Sequence, residues 1–190
     1  MKDERTLSPL ESLRVISQAI DKTQDNVAKN SFLFLLWGWL MVIASLGFFV
    51  LRRYTSFEYY FVPFPASAAV GALTSLIYYF RQRAGTTQTY VDHFLSRMWL
   101  VLGAGFIAVV FVNVSQGNTP FTYTLLIGGI GTMVSGLVLR FNPLALGGAI
   151  MLLSAVASIY VPEADRVLLQ AGAVVAGYLV PGYLLRHARR

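Results

Sequence analysis

The stretch TQTYVDHFLSRMWLVLG, residues 87–103, sets an aspartate, a histidine and an arginine (Asp92, His93 and Arg97) just ahead of a tryptophan and a long apolar run. An acid beside a histidine is the raw material of general acid–base chemistry, in which a carboxylate orients an imidazole. On a helix that use fails. Side chains at i and i+1 diverge, while His93 and Arg97, four apart, share a face, as do Asp92 and Ser96. The same residues are what a membrane helix carries where it meets water, with Tyr90, Arg97 and Trp99 at headgroup depth. We read Asp92, His93 and Arg97 as an interfacial polar cluster rather than a catalytic one.

Other chemistry is thinly supplied. Cysteine is absent, which excludes a disulfide framework, a thiolate metal site and a cysteine nucleophile. The two histidines, His93 and His187, lie far apart in the chain. GGIG at 128–131 sits inside an apolar helical stretch with no strand before it, so it is not a phosphate-cradling loop. Paired carboxylates and metal-ligand clusters are missing from the pattern. The expectation is a protein that is not an enzyme, with no catalytic residues, no metal and no cofactor.

The elements that hold these residues are written in hydropathy. Of 190 residues 56% are hydrophobic and 13% charged, with a mean hydropathy of +0.60, whereas a soluble domain carries about 25% charged residues. Apolar runs of about 20 residues, enough to cross roughly 30 Å of hydrocarbon, fall at about 32–51, 59–80, 98–114, 120–139, 142–161 and 166–185. No Asp, Glu or Lys lies inside them, so the buried titratable groups on which ion pumps run are missing. The fold class is all-α: an integral membrane six-helix bundle over 31–190, readable as three helical hairpins. A second unit precedes it. SPLE at 8–11 is a capping box with proline at the first helical position. Leu10, Leu13, Ile16, Ile20 and Val27 then recur near helical spacing opposite a charged face. Residues 1–30 therefore read as an amphipathic cytoplasmic or interfacial helix, with Leu13, Ile16 and Ile20 as a face for a partner.

Within the spans, small residues recur every four: Ser67, Gly71 and Ser75; Gly128, Thr132 and Gly136; Ala173 and Gly177. In lipid such spacing lines helix contacts, because close backbone approach is what helices gain by associating. Asn113 and Gln170 are expected to bond between helices. Pro63 and Pro65 predict an irregular entry to the second span around Tyr60–Pro65. Six spans put the N-terminus, the second and fourth links and the C-terminus on one side. That side holds Lys2, Arg5, Arg14, Lys22, Lys29, Arg81, Arg83, Arg97, Arg140, Arg186, Arg189 and Arg190, against Arg52, Arg53 and Arg166 on the other. The imbalance predicts cytoplasmic termini, and it assigns the net charge of +6 to membrane topology rather than to nucleic acid.

The stretches LSPLESL, FLFLLWGWL, TYVD, WLVLG, GTMVSGLVLRFNPLALGG and PGYLLR resemble those of a small family of uncharacterised bacterial multi-pass membrane proteins, along nearly the whole chain. The hairpins of small, glycine-rich spans are also similar in architecture to the HdeD-type acid-stress membrane proteins. The resemblance implies a bacterial inner-membrane protein and carries over no functional residue. The expected function is a non-enzymatic, partner-binding or membrane-responsive component. Its expected partners are the lipid bilayer and a cytoplasmic protein on residues 1–30; a homo-oligomer is left open. The alternative is a small facilitator or channel for a neutral or lipophilic solute.

Overall fold

The computed structural model describes residues 9–83 and 90–187, with side chains at 31–81 and 90–186. Every regular element among them is helical: α1 (Pro9–Tyr54), α2 (Pro63–Arg83), α3 (Tyr90–Ser115), α4 (Phe121–Val138), α5 (Asn142–Ala157), α6 (Arg166–Val174) and α7 (Val180–His187). A short 3-10 turn, Ser158–Tyr160, prolongs α5, and a π-helical turn, Val175–Leu179, joins α6 to α7 in one rod. Five segments are long and apolar enough to cross a membrane: Ser31–Tyr54, Tyr90–Ser115, Phe121–Val138, Asn142–Tyr160 and Arg166–Arg186. The protein is thus an all-helical membrane protein. The sixth expected span, α2, has the length, but its prolines, small residues and tyrosines dilute its apolarity.

The capping-box segment and the first span, expected as separate elements, form one helix of 46 residues. Within α1 no proline follows Pro9 and no glycine precedes Gly38, so nothing in the sequence interrupts the backbone hydrogen bonds between the two segments. Arg52 and Arg53 close its last turn, where cations suit the helix dipole. The side chains of Leu13, Ile16 and Ile20 lie outside the described residues.

The second helix starts at Pro63, after a turn over Glu58–Val62 in which Val62 N–H donates to Tyr59 O and Phe64 N–H to Phe61 O. Proline lacks an N–H, and the first helical position is where that loss is harmless. From there α2 runs back along α1. Pro63 meets Gly47, the Trp37 indole covers Gly71, and the rings of Phe32 and Tyr78 stack at 4.7 Å.

The core lies among α1, α4, α5 and the α6–α7 rod, with α2 against the outside of α1 and α3 against α4. The closest approach is between α4 and α5. A Cβ on Gly136 would fall on the backbone of Ala145, one on Gly148 on the backbone of Met133, and one on Gly147 on the carbonyl of Gly177 in the π turn. Between α4 and α5 the chain turns through Arg140, at a left-handed φ of 52°. Arg140 N–H donates to Leu137 O, and Phe141 N–H to Gly136 O at 2.8 Å. Together these bonds satisfy the last carbonyls of α4 in a Schellman arrangement.

Candidate functional site

The three residues that opened the sequence reading do not converge. Asp92 is half-buried in the first turn of α3, where an acid suits the helix dipole, and it shares the inward stripe with Leu95 and Trp99. Its carboxylate is not free. His93 and Arg97, one turn apart, are both exposed on another face. Trp99, expected as an anchor at headgroup depth, turns inward: its ring covers Gly131 and its Nε1–H donates to Ser135 Oγ at 3.1 Å.

That bond belongs to a pattern. All three tryptophans donate from the indole to a hydroxyl on another helix: Trp37 to Ser75 at 3.1 Å, Trp39 to Tyr183 at 3.1 Å, and Trp99 to Ser135. Trp99 also makes edge contacts with Phe34 and Tyr178, so α1, α3 and the π turn meet in one aromatic group. Buried Tyr178 is hydrogen-bonded to Thr132, whose hydroxyl donates to Gly128 O. Gln170, 2% exposed, accepts from Thr124 Oγ1 at 2.9 Å across α4 and α6. In lipid an unpaired amide or hydroxyl is costly, so such pairs fix which helix faces which. One exception is Ser45 Oγ, which is buried with no partner.

The small residues of the sequence reading lie at these contacts. Gly71 and Ser75 sit under Trp37, with half-buried Ser67 on the same stripe of α2. Gly128 and Thr132 meet Met151, Gly136 meets Ala145, and Gly177 meets Gly147; Ala173 is buried. Gly147 and Gly148 form the α5 half of the contact. Those two are adjacent, and a search for small residues four apart does not find them.

Asn113 points elsewhere than expected. Its amide donates to Val109 O of its own helix, and it lines a surface cleft of about 260 Å³ with Asn118, Thr119, Thr122, Tyr123, Ile159, Glu163 and Arg166. The cleft lies at the end of the bundle where α3 passes to α4 and α5 to α6. Arg166 holds one wall, its Nε–H donating to Val161 O at 3.1 Å, and Thr122 bonds Ser158 at 2.7 Å behind it. Thr119 Oγ1 is buried there without a hydrogen-bond partner. The signal was present in the sequence: the polar residues of SQGNT and PEAD fall in two links that helix alternation puts at one end.

Among the described residues, no group of three or more His, Cys, Asp or Glu could hold a metal ion. The arrangement defines a class, a polytopic helical membrane protein whose buried polar groups pair across helices. No protein-family model, no curated protein and no solved structure matches the chain.

Proposed function

We propose that this is a non-enzymatic protein of the bacterial inner membrane, crossing six times, that engages a cytoplasmic partner through the N-terminal part of α1. One observation carries the reading: α1 is continuous for 46 residues, of which Ser31–Tyr54 serve as the apolar span. Residues 9–30 prolong that span by about 33 Å at 1.5 Å per residue, well beyond the hydrocarbon. Their sequence carries an apolar stripe at Leu13, Ile16 and Ile20. Such a stripe on a rigid arm suits a helix-in-groove partner or an anionic lipid surface.

The sixth crossing is supported by the course of α2, which stays against α1 from Gly47 to Phe32 and so traverses the same depth. Six crossings return both termini to one side, and the basic residues favour the cytoplasm for it. The facilitator reading is weaker, because the glycines that would thin a path are closed, Gly136 and Gly177 against neighbouring backbone and Gly71 and Gly128 against the side chains of Trp37 and Met151. To test the proposal, Leu13→Asp with Ile16→Asp is compared with wild type by affinity purification from native membranes. The variant should insert normally and lose a stoichiometric cytoplasmic partner. An unchanged set of bound proteins, or solute flux in liposomes holding this protein alone, would count against it.

A further inference from the structure

The cleft between the α3–α4 and α5–α6 links holds opposite charges that do not neutralise each other. Glu163 and Arg166 both line it, and among the described residues neither is in an ion pair. With Nε committed to Val161 O, Arg166 is fixed in place and its terminal nitrogens remain for an anion. Asn113, Asn118 and the unpartnered Thr119 Oγ1 add neutral hydrogen-bonding groups to the same lining. At about 260 Å³ the space is below the roughly 300–1,000 Å³ of drug-sized sites. It suits a ligand of a few heavy atoms with a charge at each end.

We infer that this cleft binds a phosphate–ammonium zwitterion, the phosphate on Arg166 and the ammonium on Glu163. The chemistry is that of an ethanolamine phospholipid headgroup, and equally of free phosphoethanolamine. Position favours the lipid. The turn at the same end of the bundle exposes Phe57, Tyr59, Tyr60 and Phe61, and Tyr160 is 86% exposed. Tyrosines gather at headgroup depth. Exposed Ile159 and Tyr123 form the rim, and exposed Val156 continues it down the side of the bundle, where an acyl chain can lie. The inference stands apart from the role of α1, since it concerns the opposite end of the molecule.

The test uses the full chain purified in a mild non-ionic detergent, titrated with dioctanoyl phosphatidylethanolamine, dioctanoyl phosphatidylglycerol and free phosphoethanolamine. Thermal melting and native mass spectrometry are the readouts. The ethanolamine lipid should bind saturably, at least tenfold tighter than the glycerol lipid, which lacks the ammonium. Glu163→Gln, an exposed and isosteric change, should cut that preference below threefold with helicity unchanged. Arg166→Gln should weaken both lipids. If phosphoethanolamine binds as tightly as its lipid, the inference holds with a soluble ligand; if only the lipid binds, it holds with the headgroup. Equal affinity for the two lipids, no saturable binding of either ethanolamine compound, or a Glu163→Gln protein that keeps the full preference would overturn it.

Discussion

Helices α4 and α3 are neighbours, both long and apolar enough to cross a membrane, yet the bundle treats them oppositely. On α4, Gly136 is pressed against the backbone of Ala145 and Gly129 against Gly148 and Leu152, both on α5, and Thr124, Leu125, Thr132 and Ser135 are buried. On α3, Leu95 alone is fully buried, and a Cβ on Gly103 or Gly105 would meet nothing within 4 Å. In water the more apolar helix would take the core. In lipid the tails are as apolar as leucine, so apolarity does not sort the two. Close backbone approach and paired polar side chains do. The outer helices α2 and α3 are held differently, each by a tryptophan–serine hydrogen bond and a narrow stripe.

The sharpest way to break this contrast is to place the same bulk on each helix. Gly136→Leu should prevent α4 from closing on α5, costing at least about 3 kcal/mol, at the upper end for overpacking. Little folded protein should then be recovered in detergent. Gly103→Leu should melt within a degree or two of wild type. Equal damage from both would mean that α3 is covered by protein and not by lipid.

A smaller effect is expected from Gln170→Leu, which removes the acceptor for Thr124. Thr124 keeps its bond to Phe121 O, so the loss should be about 1 kcal/mol, within the range for polar pairs in membranes. Denaturant or thermal unfolding in detergent measures it. At Ser45, which is buried without a partner, the sign reverses: Ser45→Ala should stabilise slightly, by up to about 1 kcal/mol. A clear loss there would reveal a partner for that hydroxyl. The smallest effects belong to the outward face of α3. Arg97→Lys and His93→Gln, both at exposed positions, should leave melting unchanged within about 0.5 kcal/mol. A folded variant that lost cellular function would return this pair to consideration as a site.

Much of the architecture was legible because hydropathy marks spans directly and spacing by four marks helix contacts. The union of α1 was not. A change from amphipathic to fully apolar sequence reads as a boundary, yet a helix crosses it freely when no proline or glycine intervenes. Trp99 misled for a related reason. Tryptophan near a span's end suits headgroups, but its indole N–H is equally satisfied by a serine on the next helix, and Ser135 lies far away in sequence. Asn113 was recognisable as polar and near a span's end, whereas its company in the cleft depended on bringing together links some 45 residues apart.

The central claim is that α2 crosses the membrane beside α1, so that six crossings bring both ends to one side. The chain has no cysteine, which makes single introduced thiols clean reporters. Gln88→Cys and Gln116→Cys proteins in spheroplasts are treated with a membrane-impermeant maleimide, before and after permeabilisation. The account predicts that position 116 labels at once and position 88 only after permeabilisation. Labelling of position 88 in intact spheroplasts, with position 116 protected, would contradict it.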